Sequence, residues 1–232
     1  IDRYGIADIP ATAAADAVPD WVIVATDGSY AWHDHRAHWM NEADPPGRSP
    51  GDVILEGVVP LLVDGVEVDV AVVSVWQPAP SMAAPLGGMA LGLAFVAGAA
   101  LWRARMTALA ILLGALALPA AALGVVAMLS VPAETAPPWS LWVPPLAAAG
   151  LAVVATAGRF TPAPARWGAS AALIGSLVLA AWGVLHLEWL WSAVLPTAAP
   201  FWLDRLVAGA VLAGAVGLVA LIGRAQLLSE DA

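Results

Sequence analysis

The chain has 232 residues, of which 61% are hydrophobic and 12% are charged. This composition is far from that of a soluble globular domain and is typical of a protein with several membrane spans. The chain contains no cysteine, which excludes disulfides, thiolate metal sites and cysteine nucleophiles.

Negative charge is concentrated in the first third of the chain. Residues 1–80 contain thirteen Asp or Glu and three Arg, whereas the remaining residues contain five acids and six Arg. This balance argues against nucleic acid as a partner, because a nucleic-acid surface needs clustered basic residues. An acidic segment either attracts cations, including metal ions, or simply keeps a surface solvated. The change in composition predicts an N-terminal domain of residues 1–80 and a membrane domain of residues 81–232.

The N-terminal domain is predicted to be rich in β-strands. Residues 51–63 and 66–76 are rich in β-branched side chains, and Asp64-Gly65 between them is a strong signal for a two-residue hairpin turn. The alternate valines from Val66 to Val72 would share one face of their strand. Residues 20–26 and 29–35 predict a second hairpin in the same way. Four strands would form a partial sandwich.

A histidine cluster lies at the end of the predicted strand 29–35. His33, His35 and His38 are three of the four histidines and fall within six residues. His33 and His35 would project from one face of the strand. Neutral imidazoles bind copper or zinc, and Asp34 and Met40 are the less favoured further ligands. The spacing matches no common zinc-protease or zinc-finger motif.

A structural interpretation of the same block is also open. Asp34 and Arg36 would form an ion pair within a hydrogen-bonded corner, and Trp32 and Trp39 would pack around it. The sequence is compatible with both interpretations.

From residue 83 onward the chain is predicted to cross the membrane five times. A helix rises about 1.5 Å per residue, so roughly 20 apolar residues span the hydrocarbon. Five segments have this character, approximately residues 85–102, 106–129, 141–158, 168–187 and 206–223. Pro119 predicts a kink in the second span, whereas Pro144 and Pro145 fall in the first turn of the third. The predicted fold class is an all-α membrane bundle of five transmembrane helices with a small N-terminal extracytoplasmic β-domain.

Arginine positions predict the orientation in the membrane. Five of the six arginines beyond residue 80 flank the spans on one side, namely Arg103, Arg105, Arg159, Arg166 and Arg224. The positive-inside rule places this side and the C-terminus in the cytoplasm, and the N-terminal domain outside the cell membrane. Tryptophans crowd the two outer loops, where they would form an interfacial belt or contact another protein.

The predicted spans carry no Asp, Glu, Lys or Arg near their middles. Pumps and transporters usually need such groups, so the spans are interpreted as a scaffold. Small residues four apart, such as Gly88 with Gly92 and Ala210 with Gly214, would allow neighbouring helices to approach closely.

The outer loop before the fifth span carries polar residues. His186 lies at the outer end of the fourth span, on the same side as the histidine cluster, and Glu188 follows two residues later. His186, with Glu188, could supply further metal ligands, or it could be an interfacial residue among tryptophans. Asp204 and Arg205 are placed in this loop, just ahead of the fifth span.

The N-terminal domain is expected to be incomplete. About 80 residues with two hairpins are too few to bury a full core. The chain begins at an isoleucine and shows no signal segment, although an outer N-terminus requires one. We therefore expect an upstream segment, and a partner subunit could complete the sheet.

Three segments together resemble a known family. They are Tyr30-Ala-Trp-His-Asp-His-Arg-Ala-His-Trp-Met40, Val59-Pro-Leu-Leu-Val-Asp-Gly65 and Val75-Trp-Gln-Pro-Ala-Pro-Ser81. They are similar to segments of largely uncharacterised actinobacterial membrane proteins. The resemblance implies a signal peptide, an extracytoplasmic β-domain with the histidine block, and a C-terminal membrane region. It also implies an association with copper and with copper-dependent membrane enzymes such as particulate hydrocarbon monooxygenases.

Three functions follow as hypotheses. The favoured one is a non-catalytic accessory subunit that packs against other membrane protein subunits in the lipid bilayer and caps the complex with its outer domain. The alternative is a copper-binding or copper-delivery protein that uses His33, His35 and His38. A membrane enzyme in its own right has the least support, because no nucleophile and base pair is recognisable.

Overall fold

The computed structural model describes residues 18, 23, 26, 34–41, 43–102, 105–131, 139–157 and 165–230. By its contacts the chain divides into two units, Ile1–His33 and Asp34–Ala232, and every element described below belongs to the second. These elements are a two-stranded antiparallel sheet and, after it, five long apolar helices. The predicted fold class, a bundle of five membrane helices with a small N-terminal β-domain, is therefore confirmed, while the extracytoplasmic placement of that domain stays a prediction.

The sheet is a hairpin of β1 (Val53–Val63) and β2 (Val66–Val75), with a register irregularity beside Val53. Asp64 and Gly65 at the turn both have positive φ, 51° and 79°. A type I′ turn requires this conformation, and glycine adopts it without steric cost. The hairpin predicted from Asp64-Gly65 is confirmed.

The other predicted hairpin lies almost entirely outside the described residues. Its last residue, His35, begins a 3-10 helix, His35–Ala37, which packs on β1 and β2. The Asp34 side chain caps this helix by accepting a hydrogen bond from the backbone N–H of Arg36. The prediction that His35 belongs to a strand is therefore wrong, because a capping carboxylate stabilises a turn at this point.

Among the described residues, five helices are long and apolar enough to cross a membrane. They are α1 (Ala83–Leu101), α2 (Arg105–Ser130), α3 (Trp139–Ala157), α4 (Ala165–Leu185) and α5 (Phe201–Glu230). They match the five predicted spans, so the chain is a multi-pass membrane protein. Two details were predicted wrongly. α5 begins at Phe201 rather than near residue 206, and Pro144 and Pro145 lie in the second turn of α3 because that helix begins at Trp139.

One end of the bundle is here called the hairpin end. Helix α1 begins at this end, shortly after β2, and α3 and α5 also begin there. Gly124, near the end of α2, lies against the Leu141 carbonyl of α3. The Trp182 indole, near the end of α4, donates to the same carbonyl with an Nε1–O distance of 3.0 Å. These contacts show that consecutive helices α2, α3 and α4 run in alternating directions.

α1 and α5 pack backbone against backbone through small residues. A Cβ added to Gly88 would overlap the Leu206 carbonyl, and a Cβ added to Gly92 would overlap the Ala210 carbonyl. Only a hydrogen at these positions lets the two helices approach so closely. The small-residue spacing therefore has the packing role predicted for it.

The core of the bundle lies along one face of α5. The buried residues of this face recur at helical spacing and include Asp204, Ala208, Val211, Ala215, Leu218 and Ile222. Leu109 and Leu113 of α2 and Leu179 of α4 pack in the same cluster. All members of the α5 face except Asp204 are apolar. Asp204 therefore directs a carboxylate toward the core at the hairpin end.

Candidate functional site

The described part of the histidine block is a hydrogen-bonded corner. Oδ1 of Asp34 accepts from the backbone N and the Nε of Arg36, each at 2.9 Å, and Oδ2 accepts from Nη2 at 2.7 Å. The hydrogen bond to Asp34 and the charge of that carboxylate raise the pKa of Arg36. Nε1 of Trp39 donates to the Ala43 carbonyl at 2.9 Å. The Asp34–Arg36 pair of the structural interpretation is therefore present.

His38 is hydrogen-bonded to the backbone of its neighbour. Its Nδ1 lies 2.9 Å from the Trp39 carbonyl oxygen, and since a carbonyl only accepts, Nδ1 carries the proton. His33 and the side chain of His35 lie outside the described residues. Within the described part of the chain, no three His, Asp or Glu side chains form a group that could hold a metal. Copper at His33, His35 and His38 stays a prediction.

His186 is enclosed by aromatic rings. It is only 8% exposed, its ring stacks on Trp182 at 4.5 Å between centroids, and the edge of Trp189 meets it at 5.3 Å. Its Nδ1 donates to the Trp182 carbonyl at 2.7 Å. Burial lowers the pKa of His186, although this hydrogen bond and the charge of Glu188 act in the opposite direction. Burial therefore favours the neutral ring, in which the proton on Nδ1 leaves the lone pair on Nε2.

The described contacts do not bring His186 and the histidine block together. The 3-10 helix of the block, His35–Ala37, packs on the hairpin, whereas His186 lies between α4 and the 3-10 helix Leu187–Leu190. Glu188 is exposed, and its backbone carbonyl accepts from Trp191 and Ser192. A metal site that includes His186 and Glu188 stays a prediction.

The aromatic cluster around His186 bonds to a backbone carbonyl of α3 that a proline leaves without its helical partner. Pro145 has no backbone N–H, so the Leu141 carbonyl four residues earlier loses its helical partner. Nε1 of Trp182 supplies the missing donor, and the glycine at position 124 brings the α2 backbone against the same carbonyl. One carbonyl therefore joins three helices at the hairpin end. The buried indole N–H of Trp142 has no such acceptor among the described residues.

Sequence reasoning missed Arg205, which it placed in a loop. Arg205 lies at the start of α5 and is 7% exposed. Its Nη2 donates to the carbonyls of Ser192 and Ala193 at 2.7 and 3.3 Å. Its guanidinium carbon lies 5.6 Å from the centre of the Phe201 ring. Arg205 thus ties the connection between α4 and α5 to the first turns of α5.

Asp204 was missed in the same way, and its surroundings differ. It is 2% exposed, and neither carboxylate oxygen has a hydrogen-bond partner among the described residues. An unpartnered buried carboxylate costs free energy, and it can accept a hydrogen bond or hold a cation. The signal was available in the sequence, because Asp204 stands four and seven positions before Ala208 and Val211 on the apolar face of α5.

One face of the hairpin is apolar and partly exposed, and it is here called the valine face. It consists of Gly57, Val59, Leu61, Val63, Val66, Val68, Val70 and Val72. Val59 is 3% exposed, whereas Val63 and Val66 beside the turn are 50% and 63% exposed. An isolated two-stranded sheet is at best marginally stable in water, and large exposed apolar faces mark binding surfaces. The hairpin is therefore suited to contact another molecule.

No protein-family model, curated protein or solved structure matches the chain. Two features of the chain bear on its function, the valine face and the buried polar groups at the hairpin end.

Proposed function

We propose that the protein is a non-catalytic subunit of a larger membrane enzyme complex. Its helices pack in the bilayer beside other subunits, and its hairpin caps the assembly at one membrane surface. The exposed valine face is the observation that carries this proposal, because a partner surface would remove it from water. A partner with β-structure would also complete the sheet.

The bundle offers a second surface for a neighbouring subunit. α2 and α3 form an open groove of about 680 Å³, lined by small and apolar residues that include Ala110, Gly114, Ala115, Leu146, Ala149 and Gly150. Small residues let another helix approach the groove closely. The groove therefore supports a packing role for the membrane domain.

The buried polar groups also support a scaffold role. Four polar or charged residues are buried among the described residues, and three of them donate to backbone carbonyls. Ser176 bonds to Ala172 at 2.7 Å, while His186 and Arg205 bond to the carbonyls described above. The bonds of Ser176 and His186 are local to α4 and its end, whereas those of Arg205 join α5 to the connection before it. Asp204 is the exception.

The enzyme that the family resemblance suggests is a copper-dependent hydrocarbon monooxygenase, and we propose this class for the complex. The test is to purify the tagged chain from its native membranes in lipid nanodiscs and to measure the mass, subunits and metal content of the product. We expect stoichiometric co-purification with other subunits and copper in the assembly. A lone monomer would overturn the subunit role, and a stoichiometric complex without copper would overturn the enzyme class alone.

A further inference from the structure

The two outer edges of the hairpin differ. Val63 and Val66 flank a two-residue turn, so they form a hydrogen-bonded pair, and the pairs then alternate along the ladder. Pro60, opposite Asp69, consequently falls in a non-hydrogen-bonded pair, and its nitrogen faces away from β2. This is the position at which a strand tolerates proline. The outer edge of β1 therefore lacks a donor at its centre.

The outer edge of β2 has no such interruption. By the same alternation, its outward backbone groups belong to Glu67, Asp69, Ala71 and Val73, and β2 contains no proline. Among the described residues, no backbone hydrogen bond from outside the hairpin reaches these four. Four successive pairs of donor and acceptor on an open edge form a template for an added strand.

The negative charge of the hairpin favours a partner strand with basic residues. Between residues 52 and 76 the chain has five acids and no Lys or Arg. Glu67 and Asp69 lie on β2, on the face opposite the valine face. If two copies of the chain paired antiparallel through their β2 edges, any register that places Glu67 or Asp69 directly opposite an acid of the other copy would be destabilised by like charges, whereas a basic strand meets no such penalty in any register. A second copy of this chain is therefore a poor occupant, and a basic strand is a good one.

We infer that the outer edge of β2 binds an extended strand of a partner subunit in which apolar residues alternate with Lys or Arg. The apolar side chains of that strand would extend the valine face, and its basic side chains would lie beside Glu67 and Asp69. Backbone hydrogen bonds provide affinity in such pairing, and alternate side chains provide specificity. The inference rests on the proposed function, because it specifies the partner strand that the accessory subunit meets.

Val58 and Ala71 provide a matched pair of variants. They face each other in a non-hydrogen-bonded pair of the hairpin. Ala71→Pro therefore removes an outward donor from the β2 edge, and Val58→Pro removes one from the β1 edge. Neither change deletes a hydrogen bond between β1 and β2, and both impose the same restriction on φ. Val58→Pro is thus the control for backbone strain.

The probe is a labelled peptide of alternating Val and Lys, titrated against the full chain in nanodiscs and followed by fluorescence anisotropy. We expect saturable binding that is at least tenfold weaker for Ala71→Pro and unchanged for Val58→Pro. Equal binding to the two proline variants would overturn the inference. A Val and Glu peptide should bind wild type at least tenfold more weakly than the Val and Lys peptide does.

A charge-reversal variant keeps the test decisive if Ala71→Pro does not fold. The double variant Glu67→Lys, Asp69→Lys should reverse the peptide preference. It should bind the Val and Glu peptide more tightly than the Val and Lys peptide. An unchanged preference would count against the inference.

Hydrogen–deuterium exchange locates the bound strand. The amides of residues 67, 69, 71 and 73 should exchange rapidly in the protein alone and become protected when the Val and Lys peptide is added. Protection before addition would show that the chain itself already covers this edge, which would overturn the inference.

The inference and the proposed function fail in different ways. If partner subunits co-purify equally well with wild type and with Ala71→Pro from native membranes, the edge is not the contact, although the subunit role stands. If wild type purifies alone as a monomer, the subunit role fails, whatever the peptide does.

Discussion

The apolar residues of the bundle and those of the hairpin differ in how far they are buried. In the bundle, the apolar members of the α5 face are fully buried by neighbouring helices. On the valine face, by contrast, Val59 is buried while Val63, Val66, Val68 and Val70 are exposed. Lipid can cover the outside of a helix bundle, but a sheet in water has no such cover. The bundle therefore buries the apolar face of α5 itself, whereas part of the valine face stays exposed, and this difference supports the proposed contact with another subunit.

The largest effect is expected where the bundle is packed most closely. Gly88→Ala adds a methyl group that overlaps the Leu206 carbonyl, so α1 and α5 must separate, and we expect a loss of about 3 kcal/mol of stability. At Gly87 an added Cβ meets nothing within 4 Å, so Gly87→Ala should be neutral or slightly stabilising. The midpoints of thermal unfolding of Gly88→Ala and Gly87→Ala, measured by circular dichroism, give the difference. Equal midpoints would contradict the close contact between α1 and α5.

Two neighbouring residues at the start of α5 should respond with opposite signs. Arg205→Met removes a charged donor from two carbonyls and should destabilise the protein by about 2 kcal/mol. Asp204→Asn removes an unpartnered buried charge and should be neutral or stabilising. Denaturant titration in a fixed detergent gives both values. A larger loss for Asp204→Asn than for Arg205→Met would show that the carboxylate has a partner.

A smaller effect is expected at the carbonyl that joins three helices. Trp182→Phe leaves the Leu141 carbonyl without its donor and should cost about 1 kcal/mol. Trp142→Phe is the matched control, because its indole N–H has no acceptor in the described structure, and it should cost less. The same titration measures the difference. If Trp142→Phe costs as much, the indole hydrogen bond of Trp182 does not stabilise the bundle.

The smallest expected effect is a difference in stability between variants at two positions of the valine face. Val59→Thr buries a hydroxyl group and should destabilise the hairpin by about 1 kcal/mol. Val68→Thr changes an exposed side chain and should stay within about 0.5 kcal/mol. Exchange rates of the hairpin amides report on local stability. Equal losses at both positions would mean that the valine face is already covered within the chain.

Local signals in the sequence predicted most of the fold. Asp64-Gly65 predicts the hairpin because the turn conformation depends on those two residues, and long apolar runs predict the five helices. The start of α5 was misplaced because Asp204 and Arg205 were interpreted as polar loop residues. Helical spacing on α5 could have indicated the burial of Asp204, whereas the bonds from Arg205 to the carbonyls of Ser192 and Ala193 have no local signal in the sequence. At His35, capping by Asp34 competes with the strand pattern and determines the local structure.

The candidate site was predictable only where its contacts are local. His186 stands four residues after Trp182 and three before Trp189, so helical spacing alone places these rings together. The bond from Trp182 to the carbonyl of Leu141 is a long-range contact, and no local pattern announces it. The valine face followed from alternation along β2, whereas its exposure is a property of the folded chain.

Copper binding at the histidine cluster is tested separately from the contacts of the hairpin. Copper titration of wild type beside a variant with His33, His35 and His38 all changed to alanine compares their stoichiometries. One equivalent bound by wild type and none by the variant would support a copper site. Equal stoichiometry in both would remove it.

The most direct test of the account is photo-crosslinking from the valine face in native membranes. A photoreactive amino acid replaces Val68, and irradiation is followed by mass spectrometry of the adducts. The account predicts a specific adduct with another polypeptide of the complex, abolished when that subunit is absent. Adducts only with lipid or with the chain itself would contradict it.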